Sequence, residues 1–125
     1  MIYFGKLKIG TSPGIQLAKL DSLIKVTIAG DSMEPSMKNG QEIIFKRYTN
    51  QSILIGDVLL FKHPFIKNKN LVKRVTDITK SNLYFLQGDN PSHSTDSRVF
   101  GLIHKKNIIA IKKETTYEDN KCSSS

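Results

Sequence analysis

Apolar residues in this chain come in short runs separated by polar stretches, and one run is interleaved with polar residues at a period of two. In "LIKVTIAG" Ile24, Val26 and Ile28 alternate with Lys25 and Thr27, as a strand does when one face is buried and the other is wet. Further runs follow: "EIIFK" at 42–46, "DVLLFK" at 57–62, "LVKRVTDI" at 71–78, "LYFL" at 83–86 and "NIIAIKK" at 107–113. Gly, Asn, Asp and Pro separate them, the usual punctuation between strands. Only residues 14–22 suit a short helix, and no internal repeat is present. The pattern predicts a mainly β protein: a small, single-domain antiparallel barrel or sandwich with at most one short helix.

Length and composition narrow this picture. At 125 residues the chain can build one modest core. Residues 1–113 are expected to form it, and residues 114–125, polar and ending in three serines, to be a disordered tail. The net charge is +8, which could mark a nucleic-acid or anionic-membrane partner. The lysines run from Lys6 to Lys121 with nothing denser than pairs such as Lys105-Lys106 and Lys112-Lys113, so an evenly solvated surface is the simpler reading. Aromatics make up 8% and do not interleave with basic residues, as a stacking platform for nucleic acid would. Cys122 is the single cysteine, and His63, His93 and His104 lack metal-ligand spacing, so no disulfide, metal or cofactor is expected. No window holds the ~20 apolar residues of a membrane span. The N-terminal twenty residues, broken by Lys6, Lys8 and Pro13, read as neither leader nor anchor. A soluble cytoplasmic protein is expected, with peripheral membrane association as the alternative.

Three stretches carry candidate chemistry. The first is "AGDSMEPSMKNG" at 29–40. Its residues are those of an ordinary turn, yet Ser32 in such a turn could also be a nucleophile. A serine hydroxyl attacks a carbonyl poorly unless a base takes its proton. His93, in the polar stretch 88–98, is one contender for that base, and a neutral lysine is another. Lysine qualifies only if burial depresses its ordinary pKa of ~10.4 by several units. Strand parity singles out Lys73, which shares a face of "LVKRVTDI" with Leu71 and Val75. The alternative for Lys73 is a side chain snorkelling from a strand edge. The third stretch, "GDNPSHSTDSRVFG" at 88–101, is either a capped turn or the source of a hydroxyl and an Asp-Arg pair for the other two.

Taken in order, "GDSMEPSMKNGQ", "GDVLLFKHP" leading to "LVKRV", and "QGDNPSHSTDSRVFG" resemble the signal peptidase I family of serine-lysine proteases. The resemblance spans residues 29–103. It implies Ser32 as nucleophile, Lys73 as general base, Ser94 as the hydroxyl that orients the lysine, and Asp96 with Arg98 as a supporting pair. It also implies that Met33 and Pro35 shape the substrate groove and that the Ser32 backbone N–H holds the oxyanion. A second oxyanion donor is left open, because Gly30 stands where some members carry a serine. Without an N-terminal anchor, and with only a short connection between positions 73 and 88, the chain is most similar to the nickel-type superoxide dismutase maturation proteases. That likeness implies a protein partner with an N-terminal extension, a nickel superoxide dismutase precursor. The alternatives are processing of secretory signal peptides, a LexA- or UmuD-type self-cleaving regulator, and a non-catalytic basic nucleic-acid-binding module. The residues ahead of Ser32 are too few for a helix-turn-helix domain, and Ala29-Gly30 lies too near Ser32 for self-cleavage.

Overall fold

The computed structural model describes residues 2–6 and 22–114. Seven strands, β1 (Ile2–Lys6), β2 (Leu23–Ile28), β3 (Glu42–Arg47), β4 (Val58–Lys62), β5 (Asn70–Ile78), β6 (Tyr84–Gln87) and β7 (Ile108–Lys112), form one sheet. Their order is β1-β2-β3-β7-β4-β5-β6, and every neighbouring pair is antiparallel. A single turn of helix, α1 (Ser97–Phe100), and 3-10 turns at Pro91–His93 and Lys105–Asn107 complete the regular structure of the described residues. The mainly β, antiparallel expectation holds. The helix expected over residues 14–22 falls almost wholly outside the described residues, and β1 was not foreseen.

The centre of the sheet is buried on both faces. In β4 Val58 and Leu60 enter one apolar cluster, with Ile24, Val26, Phe45 and Val72. Leu59 and Phe61 enter a second on the opposite side, with Leu71, Val75, Leu86 and Ile111. This explains the unbroken "VLLF" run, since a strand covered on both sides needs no polar alternation. β2 and β3 alternate cleanly, burying Ile24, Val26, Ile28, Ile43 and Phe45 while Lys25, Glu42 and Ile44 face solvent. Burying each such side chain contributes roughly 1.5–3 kcal/mol.

The excursion after β2 is pinned at its base and weighted at its middle. Ile28 donates its N–H to the Gln41 carbonyl at 2.9 Å, and Gly40 returns a bond to the Ile28 carbonyl at 2.7 Å. Between these ties Met33 and Met37 drop into the first cluster, 1% and 3% exposed. Ser32 precedes a buried anchor and is therefore fixed at the rim of the core. At the other end of the chain, the Glu114 N–H reaches Asp57 Oδ1 at 3.1 Å, so this residue of the expected tail is tied to the domain.

Candidate active site

The stretch 29–40 is a run of turns, as its composition dictates, and it brings Ser32 to a cleft of about 180 Å³. Gly30, Asp31, Lys69, Leu71, Lys73 and His93 also line that cleft. Ser32 is half-buried. Its carbonyl accepts from the Asn90 N–H at 2.8 Å, and the Asn90 side-chain amide donates to the Asp31 carbonyl at 3.1 Å. These bonds tie the serine turn to the polar stretch after β6, almost sixty residues downstream.

Lys73 sits at the middle of β5 and pairs with Leu59 of β4. Leu71 and Val75 flank it on its own face, and both are buried in the second cluster. The lysine is only 3% exposed. Burial drives its pKa down to about 8; Asp96 opposes that shift, while Lys69 and Arg98 add to it. Desolvation dominates because the amine has no carboxylate against it: Lys73 Nζ donates to Ser94 Oγ at 3.2 Å. At pH 7 a base of pKa 8 is about a tenth neutral, roughly three hundredfold more than an ordinary lysine.

Behind Ser94 lies the charge that Lys73 does not touch. Asp96 is fully buried and accepts from Ser94 Oγ at 2.6 Å, from the Gly88 N–H at 2.8 Å, and from Arg98 Nε and Nη2 at 2.9 and 2.7 Å. It also caps α1 through the Arg98 N–H at 3.1 Å. Burial alone would raise its pKa, but the Arg98 and Ser94 bonds and the two backbone N–H groups outweigh it and hold Asp96 well below the ordinary carboxylate range. Asp96 is thus a carboxylate that can only accept. The single proton of Ser94 is committed to it, which leaves Ser94 to accept from Lys73. A neutral Lys73 bonded this way keeps its lone pair free for another hydroxyl.

Gly88 makes room for this arrangement. A Cβ there would stand 2.6 Å from the Ser32 carbonyl oxygen and 2.7 Å from Ser94 Cβ, and would collide with Ser94 Oγ. The requirement is close approach of two loops, and glycine meets it by having no side chain. Alongside, Arg74 holds Asp89 through two bonds of 2.9 and 2.8 Å and the Gly56 carbonyl at 2.8 Å. Across the cleft, His93 Nδ1 lies 2.7 Å from Asp31 Oδ2. This bond holds Asp31 below its ordinary value.

The structure gathers Lys73, Ser94, Asp96 and Arg98 into one chain of contacts and sets Ser32 at the cleft where Lys73 emerges. Met33 and Pro35, the two residues expected to shape the groove, do not line this cleft. Met33 is 1% exposed in the core, because the turn needs an apolar anchor directly after Ser32. Pro35 is exposed and lies outside the cleft lining. Gly30, with φ of 96°, gives its N–H to Asn39 Oδ1 at 2.9 Å, which occupies it. Gly88, Asn90 and the Asp31–His93 bond went unassigned in the sequence, although the "GDN" of Gly88-Asp89-Asn90 marked the place. Among the described residues no group of three His, Cys, Asp or Glu side chains could hold a metal ion, and no helix is long and apolar enough to cross a membrane.

The fold and this cleft define an all-β domain that brings Ser32 and the buried Lys73 to one opening. A family model described as "Signal peptidase, peptidase S26" matches residues 18–79 and 76–117, and the chain belongs to that peptidase family. It is similar to mitochondrial inner membrane protease subunit 1 of Mus musculus, 33% identical over 100 residues that cover 62% of this chain and 60% of that protein. The Homo sapiens protein of the same name matches to the same extent. Signal peptidase I of Buchnera aphidicola subsp. Acyrthosiphon pisum (strain APS) is 31% identical over 81 residues, covering 63% of this chain and 26% of that protein. The chain therefore spans 60% of the length of its mitochondrial relatives.

Proposed function

We propose that this protein is a serine endopeptidase of the serine-lysine type that removes an N-terminal leader from a protein substrate. The observation that carries the reading is a buried Lys73 with a pKa of about 8, hydrogen-bonded to an alcohol rather than a carboxylate, on the same cleft as Ser32. Neutral Lys73 takes the Ser32 proton, and Ser32 Oγ attacks the scissile carbonyl. The oxyanion forms beside the Ser32 N–H. Protonated Lys73 then gives its proton to the departing amine, and a water deprotonated by Lys73 releases the acyl group from Ser32. The Gly30 N–H is engaged by Asn39, so a second oxyanion donor comes from another group.

The particular substrate we propose is the precursor of a nickel superoxide dismutase, on the strength of the sequence resemblance. The relatives' names, an inner membrane protease subunit and a signal peptidase, favour a second reading, leader removal from exported proteins. Incubation of the protein with each precursor, followed by intact mass and N-terminal sequencing, tests both. Loss of a defined N-terminal segment is expected, abolished in Ser32→Ala and in Lys73→Met. Cleavage by Lys73→Arg at the wild-type rate would refute the general base, since arginine keeps its proton at working pH. Shortening of the protein itself, with neither precursor cut, would instead indicate a self-cleaving regulator.

A further inference from the structure

The hairpin between β4 and β5 carries a feature that the cleft chemistry leaves unused. At its tip Phe65 is 78% exposed and Ile66 48% exposed. The tip is not slack: His63 N–H bonds the Lys69 carbonyl at 2.8 Å, and His63 Nδ1 accepts from the N–H groups of both Phe65 and Ile66 at 3.0 Å. The His63 ring is itself packed on Phe100, centroids 4.8 Å apart. Burial, with Lys69 nearby, holds His63 below its ordinary pKa and keeps Nδ1 an acceptor. The two apolar side chains are thus held outward on a braced turn.

Charge around the tip has one sign. From residue 58 to residue 76 the chain has no acidic residue, while Lys62, Lys67 and Lys69 surround the tip. A groove of about 550 Å³ at its base is lined by Ile66, Arg47, Lys62 and Lys67, with no acidic side chain in its wall. The turn Lys105–Asn107 braces the base of the hairpin, with Asn107 Nδ2 donating to the Lys62 carbonyl at 3.2 Å. The hairpin's own lysines, joined by Arg47 from β3, thus ring one apolar prong.

We infer that the β4–β5 hairpin tip docks on an anionic phospholipid bilayer, with Phe65 and Ile66 entering the interface and the surrounding lysines and Arg47 meeting headgroup phosphates. An apolar prong with a cationic collar suits a soft, negatively charged surface, where acyl-chain burial and phosphate attraction act together and neither alone anchors firmly. A convex tip offers little to a rigid acidic protein, which would have to build a matching socket around it. Lys69 belongs to both the hairpin and the cleft lining, so docking sets the cleft beside the bilayer surface. The inference does not depend on Ser32 or Lys73 being catalytic.

The chain contains no tryptophan, so Phe65→Trp gives a clean reporter, and Ile55→Trp serves as control. Ile55 is 56% exposed but precedes β4, at the strand end opposite the tip. With vesicles of phosphatidylcholine and phosphatidylglycerol, the emission of Phe65→Trp should shift to the blue and be quenched by brominated acyl chains, while that of Ile55→Trp stays unchanged. In vesicle sedimentation, Phe65→Ser/Ile66→Ser should bind about tenfold more weakly than wild type, and Lys62→Gln/Lys67→Gln weaker by a similar factor. Binding should fail on pure phosphatidylcholine. An unshifted Phe65→Trp, or vesicle binding indifferent to the serine pair, would overturn the inference. So would self-association of the wild type that the same serine pair abolishes, since the tip would then be a contact between copies.

Discussion

Two lysines of this domain lie close to a fully buried carboxylate, and they are held in opposite ways. Lys113, just after β7, places Nζ 2.5 Å from Asp57 Oδ2 and donates to the Ser52 carbonyl at 2.8 Å. Lys73, in β5, is kept off Asp96 by the Ser94 hydroxyl between them. Asp57 and Asp96 are both 0% exposed, so each carboxylate needs compensation. Asp57 takes it from Lys113, with the N–H groups of Leu54 and Glu114 also bound. Asp96 takes it from Arg98, which always keeps its charge, and that leaves Lys73 free of the duty. A lysine that neutralises a carboxylate is a structural cation. One that meets only an alcohol can lose its proton near neutral pH.

The largest expected effect comes from abolishing that difference. Lys73→Met should lower peptidase activity by about 10³- to 10⁴-fold and yet raise stability. The folded pKa of Lys73, about 8, lies below the unfolded value of 10.5, so between these values the unfolded chain binds more protons and wild-type stability rises with pH. Below pH 8 the wild type bears the full cost of burying a charged amine. Lys73→Met should therefore gain about 1–3 kcal/mol over wild type at pH 7, shrinking toward pH 10.5, as urea denaturation at both pH values would show.

Next comes the gap that Gly88 keeps open. Gly88→Ala must push apart the Ser32 carbonyl and Ser94. Activity should fall about a hundredfold from displacement of the reacting groups, and stability by about 1–3 kcal/mol. Near-wild-type kcat would show that the two loops can separate without harm to the site.

A smaller and more diagnostic effect is expected from Asp96→Asn. The carboxylate opposes the downward shift of Lys73, so its removal should move the ascending limb of the pH–rate profile below pH 8. The plateau should drop by about tenfold as Ser94 loses its fixed acceptor. A limb displaced to higher pH would mean that Asp96 acts on Lys73 in some other way. The smallest effect on activity belongs to Lys113→Met: kcat/KM should stay within about twofold, while stability falls by about 1–3 kcal/mol because Asp57 loses its cation.

Much of this could be read from the chain before its fold. Short apolar runs bounded by Gly, Asn, Asp and Pro located β2 to β7 to within a residue or so at each end, and β2, with one wet face, also wrote its period-two geometry into the sequence. β1 escaped because its apolar run, "IYF", is three residues long and stops at Gly5. α1 escaped because it is one turn long, and its N-cap, Asp96, is also the buried carboxylate of the site. Parity placed Lys73 among Leu71 and Val75, but not the burial of Val72 on the other face of the strand. The family resemblance, not parity, put Met33 in the substrate groove; a turn's composition does not say which of its residues anchors it, and here Met33 enters the core. Contacts such as Asp31 with His93 or Asn90 with the Ser32 carbonyl join stretches about sixty residues apart, and no local pattern records them.

The proposed chemistry requires Lys73 to act as a base at physiological pH, burial outweighing the carboxylate behind Ser94. The most direct measurement is an NMR titration of the Lys73 side chain in protein carrying labelled lysine, assigned by its loss in Lys73→Met. A midpoint near 8 is predicted, moving lower in Asp96→Asn. A midpoint near 10.5, unmoved by Asp96→Asn, would leave Lys73 an ordinary cation and Ser32 without its base.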